Sequence, residues 1–383
     1  MAIRVTDLLK LPELRSAKII AGKNGLHKPV YRISVCDVHP DDSIISDGIA
    51  QQGDFYLSSI FLNETDISAA IHTIKLFIKI GISGLLLVNK LHQRIYDLPK
   101  EITDLCNELD FPIIVGDCSL AYPSIIKNGM EMIFKERQLC LMASKIEDLA
   151  SGKLGVSQTM NIVKDIYPGH KEKLTAIYAP LSCPYMDLID DQLEAINDDS
   201  STKAFHYSNG ILIIYSYDST ASSTKKVQWL SDILKNRFDS DVVGISTDLE
   251  ISAFGQAVNE AVLASKAALF DLKSPIYYAS LGVEIFLLLQ KDPAIINGYY
   301  MRYVKPIEEH DQKYRSNLLD TMVCYIKNDG DAKKTAAELF QHENTTRYKI
   351  STVKALMNLE EAHFQFYQHL LLSVRIYQLM KKS

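Results

Sequence analysis

The sequence lacks the features that mark several common classes of protein. No apolar run reaches the roughly 18 residues that a membrane-spanning helix needs, and the charged N-terminus is unlike a secretory signal. Its six cysteines form no CxxC pair and no zinc-binding spacing, as is typical of buried, reduced thiols. We therefore expect a cytoplasmic protein that does not bind a membrane. The cysteines are Cys36, Cys106, Cys118, Cys140, Cys183 and Cys324.

Motifs for nucleotide and metal chemistry are also missing. The sequence contains no Walker motif and no GxGxxG, and residues 119–124 contain no nucleophile elbow. His39 with Asp37, Asp41 and Asp42 could suggest a metal cluster. A polar loop before a strand explains them better, because crowded carboxylates repel one another into solvent. We expect no metal, no cofactor and no catalytic residue.

What is present is a chain of globular composition. Its 383 residues are enough for two or three domains. Hydrophobic residues make up 47% and charged residues 23%, which excludes global disorder. The formal net charge of −6 argues against nonspecific coating of nucleic acid by the whole surface, but it leaves room for a local basic patch.

The N-terminal part alternates strand and helix patterns. Short apolar runs such as "GLLLV" are typical of strands buried in a parallel sheet, and the intervening stretches show helical spacing with capping residues. A β-α-β-α-β order over residues 53–118 predicts an open α/β layer with right-handed crossovers. The stretches are "GDFYLSSIFL", "NETDISAAIHTIKLFIKIG", "GLLLV", "LPKEITDLCNELD" and "FPIIVGD".

The remaining chain predicts a second α/β unit followed by helices. Asn209-Gly210 lies between two β-rich runs and predicts a hairpin, because both residues tolerate positive φ. The final helix is markedly apolar and either completes a core or pairs two chains. The predicted parts are an α/β domain at 1–118, a connecting helix at 119–151, an α+β domain at 152–290, a bridge at 291–312 and an all-α domain at 313–383.

Three short helices are predicted between Asn317 and Asn358. The first ends at "NDGD", whose Asp331 can cap the second. The second places Ala332, Ala336, Leu339 and Phe340 on one face. The third starts near Asn344, and its inward face is Thr346, Ile350, Val353 and Met357. A short helix, a tight turn and a longer helix predict a helix-turn-helix, whose second helix enters the major groove.

The exposed face of the third helix carries groups that suit DNA. Asn344 and Arg347 match adenine and guanine edges, and Thr345 can meet a thymine methyl. Lys333 and Lys334 lie where a helix N-terminus could approach phosphate. Eight basic and five acidic residues between 313 and 358 give a local charge of +3. An ordinary solvated helical hairpin explains the same pattern about equally well.

"DGDAKKTAAELFQHENTTRYKISTVKALMNL" resembles the C-terminal DNA-binding domain of the PucR family of bacterial transcription regulators. The sequence departs from that family at Thr346, where leucine is usual, and at Lys349, where arginine is usual. In register with the family pattern are Gly330, Asp331, Thr335, Ala336, Leu339, His342, Asn344, Thr345, Arg347 and Tyr348. The residues that the resemblance and the helix pattern together place at DNA are Lys333, Lys334, His342, Asn344, Thr345, Arg347, Tyr348 and Lys349.

The N-terminal part resembles the sensor domain of the same family. It contains "VTDLLKLPEL" and "AGKNGLHKPV", although Ser58, Ser59 and Ile60 stand where relatives have T-T-G. The middle part resembles a degenerate GGDEF-like domain. A diguanylate cyclase needs acidic residues at its hairpin and first strand to hold metal. "YSNGIL" and "LTAIYAP" contain none, so we expect no cyclase activity and a packing or dimerisation role.

Together these resemblances imply a transcription regulator. It would bind double-stranded operator DNA as a homodimer and control, often activate, genes for purine or amino-acid use. A small-molecule effector is expected beyond the carboxyl ends of the N-terminal strands, at Ser58, Ser59, Asn89 and Asp117; the alternative is that these are turn and capping residues. Two rival functions remain: a partner-binding signalling module without DNA affinity, and a nucleotide-processing enzyme.

Overall fold

The structure is a computed structural model that divides into two compact units, Met1–Met142 and Ala143–Ser383. The residues that it describes are 2–36, 48–58, 67–88, 98–116, 120–181, 193–219, 223–238 and 240–382.

A five-stranded sheet forms the centre of the first unit. Its strands are β1 (Lys18–Ala21), β2 (Arg32–Val35), β3 (Asp54–Ser58), β4 (Gly84–Val88) and β5 (Ile113–Gly116). They lie in the order β1-β5-β4-β3-β2. β2 to β5 are mutually parallel, and β1 pairs antiparallel with β5. The predicted parallel α/β layer is therefore confirmed.

Helices cover the sheet and explain why its central strand, β4, is apolar throughout. Leu85 and Leu87 of β4 pack in one hydrophobic cluster, and Leu86 and Val88 pack in another on the opposite face. A strand buried on both faces has no polar side to show, as the run "GLLLV" predicts. Among its described residues, the helices of this unit are α1 (Val5–Leu8), α2 (Ile67–Ile80) and α3 (Lys100–Glu108), and α4 (Tyr122–Ala150) begins here.

The second unit contains its own sheet. The strands are β6 (Lys173–Pro180), β7 (Thr202–Tyr207), β8 (Gly210–Tyr217), β9 (Gly244–Ile245), β10 (Leu249–Glu250) and β11 (Ile276–Tyr277). They lie in the order β11-β9-β6-β8-β7, with β10 also paired to β6. The accompanying helices are α5 (Val156–Ile166), α6 (Thr224–Arg237) and α7 (Phe254–Lys266).

The β7–β8 hairpin confirms one prediction and shifts its turn. Tyr207 pairs with Gly210, so the two turn residues are Ser208 and Asn209, one position earlier than predicted. The positive φ, +52°, falls on Ser208. Gly210 is a strand residue, and a Cβ there would lie 2.3 Å from the carbonyl oxygen of Ala179. Glycine is therefore needed here for the close approach of β6.

The second unit ends in seven α-helices. They are α8 (Val283–Leu289), α9 (Pro293–Tyr299), α10 (Lys305–Tyr314), α11 (Leu318–Lys327), α12 (Ala332–Glu338), α13 (Glu343–Leu356) and α14 (His363–Lys382). A π-helical turn at Tyr300–Val304 joins α9 to α10. Phe366, Leu370 and Val374 of α14 share one hydrophobic cluster with α11 and α13, so the apolar last helix completes a core. None of the helices in the described ranges is long and apolar enough to cross a membrane.

Candidate nucleic-acid interface

Helices α11, α12 and α13 form a helix-turn-helix on a shared core. The predicted inward face of α13 is confirmed, since Ile350, Val353 and Met357 join the hydrophobic cluster and Thr346 is fully buried. This burial fixes which face of α13 remains in solvent, because residues three and four apart lie on one side of a helix. The opposite face is the candidate DNA-reading surface.

The start of α12 presents two ammonium groups on a capped helix end. The Asp331 carboxylate accepts hydrogen bonds from the backbone N–H groups of Lys333 (2.9 Å) and Lys334 (3.0 Å), which confirms the predicted cap. These backbone donors hold the pKa of the Asp331 carboxyl below its usual range. Both lysine side chains are exposed. The two exposed ammonium groups suit a phosphate, although the backbone donors of this helix end are already bonded to Asp331.

The start of α13 is fixed by a histidine cap. The ring Nδ1 of His342 accepts a hydrogen bond from the backbone N–H of Asn344 at 3.2 Å. His342 therefore orients the first turn of the helix. The side chains of Asn344 and Thr345 are exposed on that turn, the part of a recognition helix that contacts base edges.

Arg347 and Tyr348 extend the exposed surface by one turn. Arg347 Nε (2.9 Å) and Nη2 (2.6 Å) both donate to one carboxylate oxygen of Glu343, four residues earlier. The guanidinium is thus held along the helix by an exposed ion pair, which is weak and easily exchanged for another acceptor. Tyr348 is 74% exposed.

Lys349, predicted above to lie at DNA, turns its side chain toward α11. Its ammonium donates to Thr321 Oγ1 (3.2 Å), Gln341 Oε1 (3.2 Å) and Asn317 Oδ1. Burial lowers the pKa of this lysine. Lys349 is thereby engaged between α11, the turn and α13, a placement that favours a positioning role over a DNA contact.

Phe340 departs most from the helix pattern that the sequence predicts. The prediction that it shares one helix face with Ala332, Ala336 and Leu339 is wrong, because it lies beyond the end of the helix and its side chain is 97% exposed. The helix ends at Glu338, and Phe340 adopts the left-handed conformation with φ +53°. Spacing alone extended the apolar pattern two residues past the end of the helix at Glu338, so the sequence offered no signal for this exposure.

The predicted effector residues are only partly described. Ser58 ends β3 and is buried. Ser59, Asn89 and Asp117 lie outside the described residues, and so do His39, Asp37, Asp41 and Asp42. Within the described part of the chain, no group of three or more histidine, cysteine or acidic residues could hold a metal ion.

Comparison with known protein families identifies the domains that contain this arrangement. Residues 7–133 match the Purine catabolism regulatory protein-like family, PucR, and residues 318–376 match the PucR C-terminal helix-turn-helix domain. The chain carries both PucR domains. The PucR helix-turn-helix match begins at the first residue of α11 and covers α12, α13 and most of α14, so it includes the whole candidate interface.

One curated relative and one solved structure resemble the chain more distantly. The proline-responsive transcriptional activator PutR of Bacillus subtilis (strain 168) is 23% identical over 186 residues. That match covers 46% of this chain and 44% of the relative, less than half the length of each. The crystal structure of a regulator of polyketide synthase expression from Bifidobacterium adolescentis is 15% identical, with a TM-score of 0.31. It covers 64% of this chain and 100% of that one.

Proposed function

We propose that this protein is a sequence-specific transcription regulator of the PucR type, whose C-terminal domain reads double-stranded operator DNA. The observation that carries the proposal is the exposed, polar first half of α13, which stands on a helix-turn-helix core within the matched PucR domain. A helix placed in this way enters the major groove with its N-terminal residues at base edges.

The interface has two kinds of contact. Asn344, Thr345 and Arg347 lie on the first turns of α13 and are assigned to base edges, with Tyr348 beside them. Lys333 and Lys334 at the start of α12 are exposed and would bind phosphate through their ammonium groups. The phosphate contacts would fix the register of the domain on DNA, and the base contacts would choose the sequence.

Operator recognition is expected to require a homodimer. A single recognition helix buries little surface and reads few base pairs, so specific binding needs paired half-sites. The middle elements from β6 to β11 are proposed to form the degenerate GGDEF-like domain, with a role in packing or dimerisation. This assignment is supported by the β7–β8 hairpin beside β6, whose turn residues Ser208 and Asn209 carry no carboxylate.

The N-terminal unit is proposed to bind a small metabolite that controls DNA binding. The carboxyl ends of β3, β4 and β5 lie side by side in a parallel sheet, the edge at which open α/β layers bind ligands. Ser58, Ser59, Asn89 and Asp117 follow these strand ends in the sequence. The relative named above is a proline-responsive activator, so genes for amino-acid or purine use are the proposed targets, with activation the proposed sign.

One binding screen tests both the ligand site proposed for the N-terminal unit and the non-catalytic role proposed for the middle domain. Small metabolites, L-proline among them, and GTP with Mg²⁺ would be added to the full chain while its melting temperature is followed. We expect one metabolite to raise the melting temperature, since ligand binding stabilises the folded state by mass action. The same shift in a folded Ser58→Ala/Asn89→Ala variant would overturn the assigned ligand edge. Conversion of GTP to a cyclic dinucleotide would overturn the non-catalytic middle domain.

The DNA-binding function itself is tested by a mobility shift with the protein's own upstream DNA and a salt series. A dimer that engages four phosphates through Lys333 and Lys334 would show a log–log salt slope near −3.6, because each contact contributes about −0.9. Affinity should then fall about a hundredfold between 50 and 200 mM salt. A band that resists random competitor supports the regulator. No specific band, with effector supplied, would favour the partner-binding alternative.

A further inference from the structure

The turn of the helix-turn-helix carries one unusually exposed aromatic ring. Phe340 is 97% exposed, although it stands between two packed helices. Its backbone is not loose: its own N–H donates to Ala337 O (3.3 Å), and the following N–H of Gln341 donates to Ala336 O (2.9 Å). The ring is therefore held in solvent by a hydrogen-bonded turn.

Phenylalanine is an unfavourable residue at position 340 of the free protein for two separate reasons. Phe340 has φ +53°, a conformation that glycine adopts readily and that crowds the Cβ of other residues. Turns of this motif often use glycine for that reason. The exposed ring also gains nothing from burial, which is the main benefit of an aromatic side chain. The fold of this unit thus explains neither the residue type nor its position.

The position of Phe340 in the motif indicates what the ring contacts. It lies two residues before the cap His342 and three before Glu343, where the recognition helix begins. If α13 lies in the major groove, this turn lies at the edge of the groove, because it leads directly into the helix. Apolar side chains, phenylalanine among them, contact the methyl group of thymine there.

We propose that Phe340 is a direct DNA contact, whose ring packs against an apolar group at the edge of each half-site. That group is a thymine methyl or a deoxyribose. The inference rests on the proposed operator-binding function and adds an apolar contact to the polar groups of α13. The ring is left in solvent by the free protein and covered in the complex.

The test compares Phe340→Ala and Phe340→Leu with a matched control. Phe364 is also an exposed phenylalanine, at 75%, but it lies on α14 outside the turn. Phe340→Ala should weaken operator binding about five- to twentyfold, as expected for loss of one specific contact. Its melting temperature should not fall. Phe340→Leu should keep most of the affinity, and Phe364→Ala should bind as wild type.

A second arm identifies the apolar group on the DNA. Each thymine of a half-site is replaced in turn by uracil, which removes only the methyl group. If one replacement weakens wild type but not Phe340→Ala, the partner is that methyl. If none does while Phe340→Ala still binds weakly, the partner is a deoxyribose.

Wild-type affinity in Phe340→Ala would overturn the inference and point to a protein partner for the ring. The proposed function would survive that result if the Asn344→Ala/Arg347→Ala variant still lost binding. If wild type itself binds no DNA, the proposed function fails and takes this inference with it.

Discussion

Replacing Asn344 and Arg347 together by alanine should abolish specific operator binding in a protein that stays folded. Each side chain is exposed on the first turns of α13 and can make a bidentate bond to a purine edge. Each such bond is worth about 1–3 kcal/mol, so the pair should contribute about 2–6 kcal/mol for one half-site. Mobility shifts would show a loss of about thirtyfold or more, with helix content unchanged by circular dichroism.

Two further variants test whether the loss of operator binding is specific to the side chains assigned to DNA. Lys381→Ala removes one positive charge near the end of α14, whose neighbour Lys382 pairs with Asp271 outside the helix-turn-helix. It should bind the operator as wild type does. Glu343→Gln should act in the opposite direction and strengthen binding roughly two- to fivefold. It releases Arg347 from an exposed pair that is worth about 0.2–1 kcal/mol, and it removes a negative charge beside DNA.

The way in which the loss of affinity depends on the DNA sequence distinguishes a base contact from a phosphate contact. If Arg347 reads a base, its single replacement should relax specificity at one position. If all sequences weaken alike and the salt slope drops by about one, Arg347 is a phosphate contact and its assigned role is wrong. An unchanged operator band in the double variant would remove α13 as the reading element.

Local patterns predicted most of what the structure contains. The apolar run of β4, the end of α2 at Gly81 and the Asp331 cap each depend on short-range chemistry that a single stretch of sequence displays. The inward face of α13 is also local, because helical spacing alone places Thr346 beside Ile350. These features needed no knowledge of distant residues.

The features that the sequence did not predict depend on contacts between distant residues or on one dihedral angle. Gly210 belongs to a strand because β6 passes close to it, and Ala179 of that strand is 31 positions away in the sequence. The inward turn of Lys349 depends on Asn317 and Thr321 of another helix. Phe340 is exposed because the helix ends just before it, and periodicity does not report where a helix stops.

Burial of the Thr346 side chain has an energetic cost that is visible only in the structure. Its inward position follows from spacing, and leucine is usual there in the resembling family. In the structure its side chain is fully buried, and its Oγ1 has no hydrogen-bond partner among the described residues. Burying a hydroxyl without a partner costs about 1–3 kcal/mol. The buried threonine of α12 differs in this respect, since Thr335 Oγ1 donates to Asp331 O at 2.7 Å.

Thr346→Val should therefore stabilise the protein by about 1–2 kcal/mol, measured as the free energy of unfolding in urea. Valine has nearly the same shape and the same β-branching, so neither packing nor helix propensity changes appreciably. The matched variant Thr335→Val loses a satisfied bond and should destabilise by about 0.5–1.5 kcal/mol. DNA affinity should be unchanged in Thr346→Val, because the replaced hydroxyl faces the core. Equal losses of stability in both variants would mean that Thr346 has a partner, and that its departure from leucine carries no energetic cost.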